Sequence, residues 1–241
     1  MKHPIRKRWG QNFLIDPNIQ NKIVDLLQID ENDNILEIGP GYGALTKIIS
    51  PKCKQLHVVE IDPLLAEELG QMNIPNTEII NEDFLDFDLR TIPDKNKCIG
   101  NLPYYITTPI LFKVLEFGNW EKCVFMVQKE VAERLTSPPK SKKYGRLTIT
   151  AGLFGNVKFE FKVSPNVFYP QPDVDSAIIS ITNVNKNEHS PQFIETFQKV
   201  VKLAFSSRRK VLNNTIKDYL YGSIKEKHSR LRPEECSIND F

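Results

Sequence analysis

The stretch Asn34-Ile35-Leu36-Glu37-Ile38-Gly39-Pro40-Gly41-Tyr42-Gly43 decides the fold of this chain. Its first half is a short apolar run typical of a buried strand, and its glycines follow in a turn that opens a helix. Glycine lets the backbone approach a ligand closely and take conformations that a Cβ forbids. A strand, a glycine-rich turn and a helix in this order predict a nucleoside-binding unit of an α/β sheet.

Strand-like and helix-like segments alternate on both sides of this turn. Further strands are predicted at 56–61, 77–80, 97–100, 123–127 and 177–181, each ending in turn residues or carboxylates. Apolar residues at helical spacing predict helices at 18–28, 44–50, 63–71, 107–117 and 129–136. The alternation predicts an α/β fold with a mostly parallel, Rossmann-like sheet covered by helices on both faces. Ligands bind such sheets outside the carboxyl ends of the strands.

The character of the sequence changes after Thr182. A polar, turn-prone segment at 183–188 is followed by residues that share one helical face, with Phe193 and Phe197 among them. Val211, Ile216 and Leu220 predict another helix. We therefore predict a class I methyltransferase-like domain at 1–183 and a small helical domain at 184–241.

Composition excludes several classes of protein. The 241 residues are 40% hydrophobic and 26% charged, which is ordinary for a soluble globular protein. The four cysteines are scattered without metal-like spacing, as suits a reducing cytosol. Neither a secretory leader nor an apolar run of spanning length is evident. We expect a cytoplasmic monomer with no metal ion and no membrane segment.

Basic residues occur in clusters although the net charge is only +2. Local patches of this kind bind phosphate, because screening confines their field to about 10 Å. The alternative for each cluster is a solvated surface. We predict that the clusters form one RNA-binding face, with these members: Arg6, Lys7 and Arg8 (beside Lys2); Lys142, Lys143 and Arg146 (beside Lys140); Arg208, Arg209 and Lys210.

Carboxylates near the glycine turn indicate the type of cofactor. Glu60 ends the second strand about 20 residues after Gly39, the offset at which a carboxylate meets ribose hydroxyls. A nicotinamide dehydrogenase would satisfy this spacing equally well. Pro40, however, removes a backbone N–H that would cradle a pyrophosphate. The acidic Glu37 suits a sulfonium with a free amino group, and these two residues favour S-adenosyl-L-methionine.

The third predicted strand leads to Asp83 and Phe84. The Asp83 carboxylate can accept a hydrogen bond from the adenine amine of the cofactor, and Phe84 can cover a ring face. The alternative is that Asp83 caps a turn. Gly41 in the turn and Ile61 beside Glu60 complete this part of the predicted cofactor site.

The fourth strand ends in Asn101-Leu102-Pro103-Tyr104. An adenine amine is a poor nucleophile because its lone pair is delocalised, and an Asn oxygen with a nearby carbonyl can accept its two hydrogens. Pro103 stiffens the turn, and Tyr104 offers a face for stacking worth about 1–3 kcal/mol per base. The motif predicts in-line methylation of an amine on a planar ring. The alternative is a structural turn with an exposed tyrosine.

Taken together, the motifs of this chain resemble those of the ribosomal RNA small subunit methyltransferase A family, the adenine N6-dimethyltransferases. The resemblance covers nearly the whole chain. It rests on Gly10-Gln11-Asn12-Phe13-Leu14, Glu37-Ile38-Gly39-Pro40-Gly41, Asn101-Leu102-Pro103-Tyr104, Gln128-Lys129-Glu130-Val131, Tyr144-Gly145-Arg146-Leu147, Phe168-Tyr169-Pro170-Gln171-Pro172-Asp173-Val174-Asp175-Ser176-Ala177 and Phe205-Ser206-Ser207-Arg208-Arg209-Lys210.

This resemblance implies roles for particular residues. It implies a cofactor site built from Asn12, Leu14, Gly39, Glu60, Asp83 and Asn101. It also implies that Tyr104 and Phe168 sandwich a flipped adenine beside Asn101. The implied substrate is a pair of adjacent adenosines in the 3′-terminal hairpin of 16S rRNA in immature 30S particles, each receiving two methyl groups.

Two departures and two alternatives accompany the resemblance. Tyr105 stands where Asn is commoner in the family, and the chain ends at 239–241 where relatives continue, so we expect a shortened helical domain.

A large-subunit rRNA adenine methyltransferase conferring macrolide resistance is one alternative, although the motif at 144–147 favours the small subunit. A non-catalytic ribosome-assembly factor is the other, and the intact Asn101 and Glu60 argue against it.

Overall fold

A computed structural model of the protein describes residue 6 and residues 9–93, 96–184 and 189–241. The strands of this part are β1 (Phe13–Leu14), β2 (Asn34–Ile38), β3 (Gln55–Glu60), β4 (Thr77–Asn81), β5 (Asn96–Asn101), β6 (Trp120–Gln128), β7 (Asn156–Val163), β8 (Phe168–Tyr169) and β9 (Ser176–Val184). The helices are α1 (Pro17–Leu27), α2 (Thr46–Ile49), α3 (Pro63–Gln71), α4 (Thr107–Phe117), α5 (Lys129–Leu135), α6 (Arg146–Phe154), α7 (Pro191–Ala204) and α8 (Gly222–His228). None of these helices has both the length and the apolar character needed to cross a membrane.

Seven strands form one sheet in the order β4-β3-β2-β5-β6-β9-β7. The first five are parallel to one another, and β9 and β7 add an antiparallel edge. This arrangement confirms the predicted α/β class. In the register of the sheet, Ile38 lies opposite both Val59 and Gly100. Glu60 and Asn101, one residue further on, therefore emerge at the same carboxyl edge.

Alternate residues of the central strands fill two separate cores, one on each face of the sheet. Cys98 and Phe125 pack in the core that also receives α4, α5 and α6. Ile99 and Val124 pack in the core that receives α1 and α2. The period of two along a strand makes this division, and it confirms that helices cover both faces.

Two Asp-Pro pairs begin helices beside the carboxyl edge of the sheet. The Asp16 side chain accepts from the N–H groups of Asn18 and Ile19 at the start of α1. The Asp62 side chain accepts from the Leu64 N–H at the start of α3. An aspartate cap followed by proline satisfies the helix terminus and presets its first backbone angle.

A short antiparallel pair lies apart from the main sheet. Leu14 of β1 faces Phe168 of β8, and Phe13 faces Tyr169. The pair joins the segment before α1 to the segment before β9. A strand of two residues is too short to give a periodic pattern, and neither β1 nor β8 was predicted.

The C-terminal region departs from the predicted elements. The helix expected around Val211, Ile216 and Leu220 is wrong, because the chain forms only short 3-10 turns at 212–214 and 217–219. The backbone is extended at Val211 (ψ 156°) and leaves the helical region at Ile216 (φ −132°, ψ 30°), so no continuous helix forms. The N–H groups of Leu212 and Asn213 donate to the distant carbonyls of Leu231 and Ser229. The helix predicted at 44–50 is likewise shorter, since α2 contains only four residues.

The last strand of the sheet ends at Val184, and the residues described beyond it form helices and 3-10 turns. The Tyr144 hydroxyl donates to the Cys236 carbonyl at 2.7 Å. A Cβ added to Gly152 of α6 would collide with Ile238. The C-terminal segment thus packs directly on the sheet-bearing part, and the division into two domains stays a prediction.

Candidate active site at the carboxyl edge of the sheet

A cavity of about 290 Å³ lies outside the carboxyl ends of β2, β3, β4 and β5. This volume is close to the lower end of the range for small-molecule sites, about 300–1,000 Å³. All nine residues predicted to bind the cofactor line the cavity wall: Asn12, Leu14, Gly39, Gly41, Glu60, Ile61, Asp83, Phe84 and Asn101. Leu102, Pro103 and Tyr104 line it too. The structure thus brings these residues together, while their individual roles stay predictions.

The glycine turn leaves room where a side chain would fill the cavity. Gly39 and Gly41 have φ angles of 67° and 58°, in the left-handed region that favours glycine. A Cβ on Gly41 would lie 2.9 Å from Cδ1 of Phe13, closer than such contacts allow. The turn therefore needs glycine both for its conformation and for the approach of Phe13.

Glu60 is held rigidly at the end of β3. One carboxylate oxygen accepts from the Asp62 N–H at 2.9 Å, and the other accepts from the Gly41 N–H at 3.1 Å. Burial raises the pKa of Glu60, while these backbone N–H groups oppose the rise. The side chain is thus fixed toward the cavity with lone pairs left for a ligand's hydroxyls.

Glu37 lies at the floor of the cavity and is 1% exposed. Its carboxylate accepts a hydrogen bond from the Thr46 hydroxyl at 2.7 Å. Burial raises the pKa of Glu37 to about 7; the Thr46 bond opposes this shift and the charge of Glu60 adds to it. No Lys, Arg or His of the described residues pairs with this carboxylate, so it is well suited to receive a positively charged ligand group.

We expect Glu37 to make the free energy of unfolding depend on pH. Between its ordinary pKa of 4.5 and its folded value of about 7, the folded state holds a proton that the unfolded chain has released. This contribution to stability is therefore lost as pH rises through that window, by up to about 3 kcal/mol. In Glu37→Gln the loss should disappear. Urea unfolding at about pH 5 and about pH 8 measures it.

The matched control for this prediction is the exposed Glu31. The stability difference between Glu37→Gln and the parent protein should grow from the lower to the higher pH, whereas Glu31→Gln should track the parent at both. A difference for Glu37→Gln that does not vary with pH would contradict the assignment.

Charge distinguishes between the two predicted types of cofactor. Four carboxylates line the cavity, those of Glu37, Glu60, Glu82 and Asp83, and no Lys, Arg or His of the described residues joins them. A dinucleotide brings a pyrophosphate, which such a wall would repel. S-adenosylmethionine brings a sulfonium and an ammonium, both positively charged, which fit this wall of carboxylates.

The described residues include no cluster of His, Cys, Asp and Glu that could hold a metal ion.

Asn101 is oriented by the segment that precedes β1. Its Nδ2 donates to the Asn12 carbonyl at 2.9 Å. Since the nitrogen is engaged there, the Oδ1 atom remains as an acceptor at the cavity wall. The side chain is thus set to accept a hydrogen from a ligand amine.

The turn after Asn101 is fixed on both sides. The Pro103 carbonyl accepts from the Ile106 N–H at 3.2 Å and from the Thr107 hydroxyl at 2.9 Å. The Tyr104 hydroxyl lies 2.5 Å from the Ser176 hydroxyl, and burial raises the pKa of Tyr104. These bonds hold the Tyr104 ring in place at the cavity.

The structure does not bring Phe168 to the cavity. The ring is 2% exposed and packs in the core with Leu14 and Ile178. Its neighbour Tyr169 is instead 50% exposed, because successive residues of a strand point to opposite sides. Phe168 thus anchors β8 in the core, and its role as a stacking face stays a prediction.

Arg6 also differs from its predicted role. Its guanidinium lies 3.6 Å from the Asp62 carboxylate and 4.7 Å from the centre of the Trp9 ring. Those contacts tie Arg6 to residues beside the cavity, although Arg6 itself does not line it. Lys7 and Arg8 lie outside the described residues.

The other basic clusters meet at a second cavity of about 370 Å³. Lys142, Lys143, Arg146 and Arg208 line it, as does Arg134, which was not predicted. Arg208 donates to the Lys142 carbonyl at 2.8 Å and pairs with Glu234 at 3.0 Å. Arg209 and Lys210 are exposed nearby in sequence but do not line the cavity.

Some residues of the main cavity were not singled out from the sequence. They are Trp9, Gln11, Phe13, Tyr42 and Ile110. Gln11 and Phe13 belong to the motif at 10–14. The motif indicated that this segment contributes to the site, but it did not show which of its side chains face the cavity. Tyr42 packs edge-on against Phe13, with ring centres 4.6 Å apart.

Comparisons with known proteins agree with this geometry. The "Ribosomal RNA adenine dimethylase" family matches residues 2–235. Over 97% of the chain and 86% of the relative, the sequence is 43% identical to "Ribosomal RNA small subunit methyltransferase A" of Chlorobium luteolum. A dimethyladenosine transferase from Plasmodium falciparum superposes with a TM-score of 0.84 at 25% identity, covering 95% of this chain and 94% of that one. The structure of the 23S rRNA methyltransferase ErmE superposes with a TM-score of 0.73 at 26% identity, covering 92% of this chain and 96% of that one. The chain belongs to the ribosomal RNA adenine dimethylase family.

Proposed function

We propose that this protein dimethylates N6 of two adjacent adenosines in the 3′-terminal hairpin of 16S rRNA, using S-adenosylmethionine, on immature small subunits in the cytoplasm. The observation that carries the proposal is the position of Asn101. Its amide nitrogen is engaged by the Asn12 carbonyl, and no described residue donates to its amide oxygen. The cavity that it lines has four carboxylates and no basic side chain of the described residues. The site thus joins an acceptor for an amine to a pocket for a cationic cofactor.

The cofactor would be held by groups at the ends of successive strands. Glu60 suits the ribose hydroxyls, Asp83 the adenine amine and Glu37 the ammonium group, while Phe84 lies against the ring. When bound, S-adenosylmethionine supplies a methyl group on a sulfonium. No metal ion and no ionised base of the protein is needed for its transfer to a neutral amine.

The target adenine would be positioned by the turn after β5. Asn101 Oδ1 accepts one hydrogen of the amine. The Pro103 carbonyl is already engaged by Ile106 and Thr107, which leaves the Leu102 carbonyl as the second acceptor. Tyr104, held by Ser176, offers its face to the base. Both acceptors favour a tetrahedral nitrogen whose lone pair points to the methyl group.

The large-subunit alternative is the nearest competitor, because the structure of ErmE has the same fold. Relatives bearing the small-subunit name are 40–43% identical over 95–97% of this chain, well above the 26% identity of ErmE. This difference favours the small subunit.

Methyl transfer to purified ribosomal particles tests the proposal. Small subunits from a strain that lacks the modification should accept four methyl groups at the 3′ hairpin, and large-subunit RNA should accept none. Transfer to large-subunit RNA alone would overturn the substrate. Binding of the cofactor and of particles without any transfer would instead support the non-catalytic assembly factor.

The second cavity supports contact with an RNA backbone. Lys142 and Arg146 are exposed on its rim, and neither forms a described ion pair. We expect Lys142→Gln/Arg146→Gln to weaken binding to small-subunit RNA. The slope of log affinity against log salt should flatten by roughly one unit per lost phosphate contact. Filter binding over a salt series measures this slope.

Lys52 provides the matched control, since it is exposed at the opposite, amino-terminal edge of β3. Lys52→Gln should leave the slope unchanged. If the double variant also leaves it unchanged, Lys142 and Arg146 only solvate the surface. Arg208 is unsuited to this test, because its pairing with Glu234 also supports the fold.

A further inference from the structure

Residues 9–14, here called the strap, cross one side of the cofactor cavity. All six of them line its wall. The end of the strap is fixed where Leu14 pairs with Phe168 of β8. Its middle is fixed where the Asn12 carbonyl accepts from Asn101. A ligand in the cavity would therefore touch the strap, and the strap in turn orients the residue proposed to hold the target amine.

The beginning of the strap has polar contacts with the side chain of Asp62. Gln11 Nε2 donates to Asp62 Oδ2 at 2.9 Å. The guanidinium of Arg6 lies 3.6 Å from Asp62 Oδ1, and the Arg6 N–H donates to Gln11 Oε1 at 2.8 Å. The three residues thus form a closed set of polar contacts at the cavity wall.

Asp62 also connects the strap to the predicted ribose contact. Its backbone N–H donates to Glu60 Oε1, and Glu60 Oε2 accepts from the Gly41 N–H. The side chain is itself 5% exposed, so a hydrogen bond to its charge is poorly replaced by water. Asp62 thereby contacts the strap through its carboxylate and Glu60 through its backbone N–H.

We infer that Asp62 is a positioning residue that fastens the strap over the cofactor through Gln11 and so sets cofactor affinity. Asp62 does not line the cavity, and it acts through Gln11 on one side and Glu60 on the other. The inference rests on the proposed cofactor site. Its competitor is a purely structural role, in which Asp62 only caps α3.

Two substitutions separate the fastening from the cap. Asp62→Ser keeps a good N-cap residue but is too short to hold Gln11. Gln11→Ala removes the other partner and leaves α3 untouched. Each should raise the Kd for S-adenosylmethionine and for S-adenosylhomocysteine about tenfold, as expected for one hydrogen bond to a buried charge. The double variant should be no weaker than either single variant, because both remove the same contact.

Isothermal titration of the full-length protein with each compound measures these affinities, and thermal unfolding reports on the helix cap. Gln71→Ala, at an exposed position on α3, is the matched control and should match the parent protein. If Asp62 only caps α3, Asp62→Ser keeps that cap, so both it and Gln11→Ala should bind with the Kd of the parent protein, and this result would overturn the inference. Additive losses of affinity in the double variant would overturn it as well, because they would show that the two residues act separately. Failure of the parent protein to bind S-adenosylmethionine would overturn the proposed function itself.

Discussion

Replacement of Asn101 by alanine should lower the turnover number for methyl transfer by about 10²–10³-fold, the usual loss when one preorganised hydrogen-bonding group is removed. The variant lacks the acceptor that draws the amine lone pair out of the ring. Cofactor affinity should change by less than about tenfold, since only the neutral bond from Asn101 to the Asn12 carbonyl is lost on that side. Single-turnover transfer to small subunits measures the rate, and titration measures the affinity.

An exposed asparagine on α1 gives the matched control. The exposed side chain of Asn21 donates to the Pro17 carbonyl of its own helix, so Asn21→Ala should transfer methyl groups at the parent rate. A turnover number for Asn101→Ala within a few-fold of the parent would show that the amide oxygen does not take part in the transfer.

Replacement of Gly100 by alanine should lower the free energy of unfolding by about 1–3 kcal/mol, the usual cost of overpacking a core. A Cβ there would lie 2.7 Å from the Ile38 carbonyl oxygen and 3.1 Å from a methyl of Leu102. The oxygen belongs to the neighbouring strand β2 and cannot rotate away. Because Asn101 is the next residue, methyl transfer should fall as well. Urea unfolding and a transfer assay of the same preparation measure both.

Gly70 in α3 provides the opposite case for the same substitution. Nothing lies within 4 Å of a Cβ added there, and the residue is helical. Gly70→Ala should therefore raise stability by up to about 1 kcal/mol. If both glycine variants changed stability alike, the close approach of β5 to β2 would not be the cause.

The sheet and its ligand edge follow from local patterns in the sequence. Glu60 and Asn101 end apolar runs, and parallel strands bring their carboxyl ends to one edge whatever the details of packing. The glycines of the turn are equally informative, because only a few backbone conformations need them. For these residues, a place at the end of a predicted strand is enough to predict a place at the ligand-binding edge of the sheet.

Other features depend on contacts between distant parts of the chain, which no local pattern records. Arg6 looks like a member of a basic cluster, yet its partner Asp62 is brought to it by the fold. Phe168 and Tyr169 are adjacent aromatics, and only the pairing with β1 decides which one is buried. In the segment with the 3-10 turns, the N–H groups of Leu212 and Asn213 bond to the carbonyls of Leu231 and Ser229, which only the fold brings near.

The pairing of β1 with β8 has a consequence for how the protein is made. Leu14 and Phe168 are opposite each other, so most of the chain must be synthesised before β1 finds its partner. At usual rates of translation, the interval between the two residues is on the order of 10 s. During that time the nascent chain has its glycine turn, but the end of the strap lacks its strand partner. We expect competence for methyl transfer to arise late in synthesis, after the chain has passed Tyr169, and not when the first strands and helices appear.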